Sequence, residues 1–159
     1  MNFFKTLLFI CLTSTLFAER VEITSESMKA IDSNKEIHFI GNVKIKQTDS
    51  WLHGDEVIVY FNENNETNKY EAVGSVKFKV KKEENNYKGS ANKVIYYPLT
   101  SKYILTGKAI VHDLANKRDL TGDEITINVE TGLAHVKGSE KRPIILILET
   151  EEKKWANLV

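Results

Sequence analysis

Apolar and polar residues alternate one by one along most of the chain after residue 36. In the stretch GNVKIKQTDSWLHGDEVIVYF, residues 41–61, Val43 and Ile45 are separated by a lysine, and the alternation resumes after Gly54. A period of two is typical of a β-strand that has one dry face and one face in water. No stretch keeps a sustained helical period. The pattern therefore predicts a chain that is nearly all β-structure.

Glycines recur at regular intervals and divide the chain into repeats. A first series recurs every 33 residues, with a final interval of 31, and a second glycine follows 13 or 15 residues after each of the first three. We interpret each repeat as two short strands, each opened by a glycine that bends or bulges the chain. The turn-forming stretches NENNETN, KKEENN and DLANKRD separate the strands. The first series is Gly41, Gly74, Gly107 and Gly138, and the second is Gly54, Gly89 and Gly122.

The alternation places one set of apolar residues on a common side of the predicted sheet. Such a sheet must fold over so that two apolar faces meet, or it must expose a long apolar strip to water. Periodicity does not distinguish a filled core from a groove that admits a lipid, so both remain open at this point. The residues on this side are Ile37, Phe39, Val43, Ile45, Val57, Val59, Phe61, Tyr70, Ala72, Val76, Phe78, Val80, Val94, Tyr96, Tyr103, Leu105, Val111, Ile125, Ile127, Val129, Ala134 and Val136.

The first eighteen residues, MNFFKTLLFICLTSTLFA, have the pattern of a secretory signal peptide. Lys5 precedes a mostly apolar stretch of twelve residues, Thr6–Phe17, and the small residue Ala18 ends the segment. Twelve residues are too few to span a bilayer comfortably, which takes about 20. We expect cleavage after Ala18 and a mature domain over residues 19–159, and an uncleaved membrane anchor is the alternative. Cys11, the only cysteine, would be removed with the peptide.

Charge and candidate chemistry narrow the possible functions. The chain has 22 basic and 22 acidic residues, so it has no net attraction to nucleic acid or to an anionic membrane surface. Its four histidines have no metal-type spacing, and motifs for a serine nucleophile, a phosphate loop or zinc are absent. Asp55–Glu56 and Asp123–Glu124 fit a repeated structural role better than acid–base catalysis or calcium binding. We therefore expect no enzyme, no cofactor and no metal site.

The order and spacing of several motifs resemble the LptA/OstA family of periplasmic lipopolysaccharide transport proteins. The motifs lie in IHFIGNVKIKQTDSWLHGDEVIVYF and in YKGSANKVIYYPLTSKYILTGKAIVHDLANKRDLTGDEITINVETGLAHVKGSEKRPIILIL. The opening ERVEITSESMKAIDSNKEIHF is similar to the first strands of the family, so the resemblance covers nearly the whole mature chain. The middle repeat departs from it, with GSANKV where the others have GDEV and GDEI. No special role is therefore assigned to Asp55 or Asp123.

The resemblance implies an all-β fold, a repetitive antiparallel β-jellyroll that is open at both ends and has an apolar groove. It implies that the groove holds the lipid A acyl chains of lipopolysaccharide, in a periplasmic bridge from the inner to the outer membrane. The units would stack head to tail, between LptC-like and LptD-like partner proteins. On the dry side defined by the repeats, we expect the lipid contacts to come from Phe39, Val43, Ile45, Val57, Val59, Phe61, Val76, Phe78, Val94, Tyr96, Leu105, Ile125 and Ile127.

The last apolar segment is the candidate for contact between units. PIILILE, residues 143–149, contains five consecutive aliphatic residues, and charged residues come only outside that run. An unguarded edge strand favours pairing with another chain. We expect pairing with the first strand of the next unit, around residues 21–27, and a strand covered by its own neighbours is the alternative. The expected interface residues are Val21, Ile23, Ile144, Leu146 and Leu148.

Three other functions remain open from the sequence. A retained N-terminal anchor would make the chain a membrane-anchored, LptC-like component of the same system. A β-solenoid that binds or cleaves polysaccharide would need a cluster of carboxylates on one exposed face, and none is apparent. A purely structural or adhesive stacking module would need only a filled core.

Overall fold

The computed structural model describes residues 20–150, and within them most of the chain forms strands. Two single turns of 3-10 helix, Asp32–Asn34 and Pro98–Thr100, lie between strands. The predicted signal peptide lies outside the described residues, as do residues 151–159. The strands in chain order are β1 Val21–Thr24, β2 Ser27–Ile31, β3 Glu36–Gln47, β4 Ser50–Phe61, β5 Thr67–Lys82, β6 Asn85–Tyr97, β7 Lys102–Asp113, β8 Arg118–Asn128, β9 Ala134–Lys137 and β10 Ile145–Leu148.

The strands form one antiparallel sheet that follows the chain from end to end. Each strand from β3 to β7 pairs with the next one along the chain. Both β1 and β2 pair with β3 at one end of the sheet, and both β9 and β10 pair with β8 at the other. The sheet does not close on itself, so the predicted all-β, antiparallel and open architecture is confirmed. The loops 62–66, 83–84 and 114–117 fall within the three predicted turn stretches.

Three of the long strands carry a β-bulge at a glycine of the first series. The φ angles of Gly41, Gly74 and Gly107 are +85°, +85° and +81°, a region that glycine adopts without a steric cost. At each site two residues of one strand face a single residue of the next strand. The predicted bends at these glycines are confirmed. The prediction of short strands that begin at glycines was wrong, because each bulge lies inside a strand of 12 to 16 residues.

The repeats align differently in the structure than in the sequence. Ala91, and not Gly89, faces the middle bulge in the position that Gly54 has at the first bulge. Gly89 lies two residues earlier in its strand. The segment equivalent to GDEV is therefore ANKV, and Asn92 takes the position of Asp55. The register between paired strands determines which residues of the repeats are equivalent. The spacing of residues along the chain gives no information on that register.

The bulges lie in one row across the sheet and divide it into two half-sheets that face each other. Along the sheet, Phe78 aligns with Val111, which lies eight residues from Tyr103, or roughly 26 Å along an extended strand. The rings of Phe78 and Tyr103 are nevertheless 6.3 Å apart, so the sheet must be folded over at the bulge row. The first half-sheet comprises β2, β9 and residues 36–40, 56–61, 67–73, 93–97, 102–106 and 124–128, and the second comprises β1, β10 and residues 43–47, 50–54, 76–82, 85–91, 109–113 and 118–122.

Candidate functional site

The space between the half-sheets is the candidate site, and the predicted lipid contacts all border it. Tyr96 lines an open pocket there, while Phe39, Ile45 and Phe61 are partly buried and pack against the core. The other nine are buried, with at most 4% of their surface exposed. Their contact with a lipid stays a prediction. These nine are Val43, Val57, Val59, Val76, Phe78, Val94, Leu105, Ile125 and Ile127.

Protein side chains fill the middle of this space. Phe78 and Leu105 are the largest of them, with 2% and 0% of their surface exposed. Gly89 makes room for Phe78, because a Cβ atom at Gly89 would lie 2.8 Å from the aromatic ring. Interiors packed in this way leave few voids larger than a water molecule. An acyl chain that passes through the middle would therefore have to move the half-sheets apart.

Near the β1–β4 end the half-sheets enclose an open apolar pocket, which we call the mouth. Its empty volume is about 510 Å³, including space that is open to solvent. The apolar and aromatic residues of the mouth come from both half-sheets: Val21, Ile45, Trp51, Leu52, Phe78 and Val80 from the second, and Tyr70, Tyr96 and Tyr103 from the first.

Three stacked tyrosines form one wall of the mouth. The ring of Tyr96 lies 4.3 Å from that of Tyr103 and 6.0 Å from that of Tyr70. Aromatic pairs of this kind contribute about 0.5–1.5 kcal/mol beyond their buried area. Burial above all, with the neighbouring tyrosines, raises the pKa of Tyr103 far above its ordinary value. Tyr103 therefore remains neutral at physiological pH.

Trp51 and Leu52 line the mouth although the sequence prediction leaves them out. The glycine repeat suggests a strand that begins at Gly54, whereas β4 begins at Ser50. Leu52 pairs with Ile45 and continues the same inward alternation, so the period-two pattern could have identified it.

A polar cluster, which we call the seam, joins strand ends of the two half-sheets across the groove. Lys82 Nζ donates hydrogen bonds to Glu130 Oε1 at 3.0 Å and to Ser101 Oγ at 3.2 Å. The Ser101 hydroxyl donates to the same carboxylate at 2.9 Å, and Asn85 Nδ2 donates to the Val129 carbonyl at 2.7 Å. Hydrogen bonding between the two groups lowers the pKa of Glu130 and raises the pKa of Lys82. The seam closes one side of the groove where its interior is filled.

At the other end of the sheet, β10 is half-exposed along its whole length. Residues 144–148 each expose 49–57% of their surface. One edge of β10 pairs with residues 118–121 of its own chain. For that edge the arrangement is that of the alternative prediction, a strand covered by its own neighbours. Leu146 lies opposite Leu120, which packs against the core, so the apolar interior continues to this end. The outer edge of β10 has no partner strand among the described residues.

The predicted interface residues lie at the two opposite ends of the sheet. Val21 on β1 is 39% exposed and Ile23 packs against the edge of the core, while Ile144, Leu146 and Leu148 lie in or next to β10. Within residues 20–150, the outer edge of β1 also lacks a partner strand. The structure leaves one free edge at each end, and their pairing between units stays a prediction.

The polar clusters of the described residues form no recognisable catalytic or metal centre. No group of three or more His, Cys, Asp or Glu side chains in this part of the chain could hold a metal ion. His38 lies on the outer face, where Nε2 is 3.1 Å from Glu36 and Nδ1 is 3.2 Å from Glu56. Asp55 lies beside the bulge at Gly74. The described residues also contain no helix that is long and apolar enough to cross a membrane.

Comparison with known proteins identifies the family. The family model for the LptA/(LptD N-terminal domain) LPS transport protein matches residues 22–133. LptH from Pseudomonas aeruginosa, the LptA homologous periplasmic component of the conserved lipopolysaccharide transport device, has the same fold, with a TM-score of 0.72. The match covers 83% of this chain and 96% of that chain at 15% identity, and a search of curated proteins gives no match. Since the family match spans well over half of the sequence, the chain belongs to the LptA/LptD N-terminal domain family of lipopolysaccharide transport proteins.

Proposed function

We propose that this protein binds the acyl chains of lipopolysaccharide between its half-sheets and carries them through the periplasm, as one unit of a bridge between two membranes. The observation that carries the proposal is an apolar interior inside a folded, unclosed sheet, with exposed apolar residues at both ends. Membership of a lipopolysaccharide transport family supports it.

The physical requirement is shelter for several acyl chains in water. Each methylene removed from water is worth about 0.8 kcal/mol, so the chains do not cross an aqueous compartment unshielded. A sealed pocket would hold them too tightly for release. Once the half-sheets separate, similar apolar walls from β3 to β8 would offer successive sites of similar affinity, so lipid would pass without a deep trap. The role is binding and transfer, and it requires no catalytic group.

Passage from the mouth to β10 requires the half-sheets to separate where Phe78 and Leu105 fill the interior. The seam opposes this separation through one ion pair and a few hydrogen bonds, with Lys82 and Glu130 both exposed. Exposed ion pairs contribute little to stability because water screens them. The seam therefore allows the groove to open and close without unfolding the sheet.

Assembly into a bridge uses the two free edges. The outer edge of β10 would pair with β1 of the next unit, and β9 of the same unit would lie beside the next β2. Strand addition of this kind supplies backbone hydrogen bonds, and the alternating side chains supply specificity. The resulting stack would have an LptC-like protein at one end and an LptD-like protein at the other.

The proposed location is the periplasm, after removal of residues 1–18. The related LptH is described as a periplasmic component. The intact mass of protein from the periplasmic fraction tests this, and we expect a chain that begins at Glu19. A membrane-bound chain that retains Met1 would instead favour the LptC-like role.

Site-specific photo-crosslinking in cells tests the proposed function. A crosslinking residue in place of Leu52, which faces the mouth, should capture lipopolysaccharide. The control is Ile58 on the same strand, which lies opposite His38 on the outer face. Equal capture at both positions, or capture at neither with the variants folded, would contradict the proposal.

A further inference from the structure

Of the six lysines on the outer face of the second half-sheet, which is the face turned away from the groove, Lys81 forms an ion pair with Asp49, at 3.8 Å. The other five lie on neighbouring strands. They belong to two rows of directly paired residues that cross neighbouring strands. With strands about 4.8 Å apart, a row of four residues spans roughly 14 Å. We call these residues the basic patch. The rows are Lys46, Trp51, Lys79 and Lys88, and Lys44, His53 and Lys77.

None of the five lysines forms an ion pair with another of the described residues. Glu22 lies opposite Lys46 but forms its ion pair with a neighbouring arginine, at 3.9 Å. The first half-sheet differs, because Lys69 and Lys93 on its outer face both pair with Glu71, at 3.5 and 2.8 Å. The five lysines of the basic patch are therefore not neutralised by ion pairs with the described residues, although the chain as a whole is electrically balanced.

The basic patch destabilises the folded protein as long as no anion neutralises it. Lys79 and Lys88 lie directly opposite each other on paired strands, and like charges in that position destabilise a sheet. A carboxylate at either position would remove the repulsion. Unneutralised positive charge on a surface attracts anionic ligands, so the arrangement points to an anion that binds here.

The basic patch adjoins the mouth. Trp51 and Lys79 border the mouth and are also paired with each other in the longer row. Only the turn between β3 and β4, residues 48–49, separates the interior from the outer face at this point. An anionic group attached to a lipid in the mouth would reach the basic patch by passing over this short turn.

We propose that the basic patch binds the phosphate-bearing sugar region of a lipopolysaccharide whose acyl chains occupy the mouth. This inference rests on the function proposed above. The lysines neutralise the phosphates, and Trp51 presents an aromatic ring between them to a sugar. Binding at two points, apolar inside and ionic outside, fixes which end of the lipid enters the groove.

Charge removal tests the inference. The variant K46Q/K79Q/K88Q removes three lysines of the basic patch, and the control K29Q/K117Q/K141Q removes three exposed lysines elsewhere. Binding is measured with labelled lipopolysaccharide, with the same material after chemical dephosphorylation, and with phosphatidylglycerol vesicles. We expect the patch variant to lose roughly tenfold in affinity for the phosphorylated form and under twofold for the dephosphorylated form. The control variant should change either affinity by less than twofold, and higher salt should reduce the difference between variants.

The outcomes separate this inference from the proposed function. If the wild-type protein binds neither form of lipopolysaccharide, both fail. If it binds them but the patch variant behaves like the control, only the inference fails. Loss of vesicle binding alone would overturn it in favour of docking on a membrane surface. Thermal unfolding checks that the patch variant is folded, and we expect no loss of stability, because the Lys79–Lys88 repulsion is removed.

Discussion

The side chain of Asp55 on β4 occupies the space that a Cβ atom at Gly74 on β5 would need. The same relationship recurs one hairpin later, between Asn92 and Gly107. Asp55 and Asn92 differ in charge but both have short polar side chains, so shape and not charge is common to the two sites. At two of the three bulges that fold the sheet, the glycine thus contacts a short polar side chain, and at the first bulge the longer side chain of Glu26 takes the corresponding space at Gly41.

Gly74→Ala should destabilise the protein by roughly 2–4 kcal/mol. Alanine is strained at the observed φ of +85°, a cost of about 1 kcal/mol, and Asp55 would also have to move. Gly132→Ala is the matched control, because its φ is +70° but its Cβ would lie 3.8 Å from the nearest atoms. The control should cost only about 1 kcal/mol. Urea unfolding measures both, and equal losses would show that the Asp55 contact is unimportant.

His38 should make the protein less stable as the pH rises above neutrality. Its hydrogen bond with Glu36, assisted by Glu56, raises its pKa above the ordinary value of 6.5 although burial opposes this. A raised pKa stabilises the folded state below pH 6.5, and this contribution is lost as the pH rises through the raised pKa. We expect the free energy of unfolding of His38→Gln to change less between pH 6 and 8 than that of the wild type. The difference should be less than about 1 kcal/mol. His135→Gln, at an exposed histidine, is the control, and an equal effect there would contradict the assignment.

Asp113 should contribute to stability down to acidic pH. Burial raises its pKa, but hydrogen bonds from Arg118 and Asn116 outweigh burial and leave the pKa below 3.8. The contribution is therefore present above pH 3.8 and is lost as the pH falls through the lowered pKa. Asp113→Asn should cost about 2 kcal/mol at pH 7, because Arg118 Nη2 donates to the buried carboxylate at 2.6 Å. The half-exposed Asp119 is the control, and Asp119→Asn should cost less than about 1 kcal/mol. Unfolding at pH 7 and pH 3 compares the variants.

The side of the sheet that each strand residue faces could be predicted from the sequence, because side-chain alternation is a local property. Val57 and Val59 face inward simply because every second residue of a strand does. Register between strands is not local, which is why spacing alone matched Gly89 to Gly54 although Ala91 is the structural equivalent. Backbone pairing and the bulges set that register, and neither leaves a fixed spacing along the chain.

The sequence could not show which part of the groove is open and which part is filled by side chains. Leu105 and Tyr96 have the same inward alternation, but Leu105 is completely buried and Tyr96 lines the mouth. The distance between the half-sheets decides this, and it depends on contacts between distant segments such as Lys82 and Glu130 in the seam. Alternation predicts that Lys44, Lys46, Lys77 and Lys79 face outward, but their assembly into one basic patch depends on the register between strands, which is not local.

Leu146→Pro should prevent head-to-tail assembly and leave the monomer folded. The Glu149 N–H donates to Lys117 on the β8 side, and N–H groups of an antiparallel edge strand alternate in direction. The N–H of Leu146 therefore points to the free outer edge, and proline at this position removes no hydrogen bond to β8. It removes a donor only from the edge proposed to receive β1 of the next unit.

Sedimentation velocity over a range of concentrations measures the effect on assembly. The wild-type protein should form larger species as concentration rises, and Leu146→Pro should remain monomeric with an unchanged far-ultraviolet circular dichroism spectrum. Leu146→Ala shortens the same side chain but keeps the N–H, so it should assemble more strongly than the proline variant. If the proline variant assembles as the wild type does, the outer edge of β10 is not the interface. If the alanine variant loses assembly equally, the side chain and not the backbone edge makes the contact.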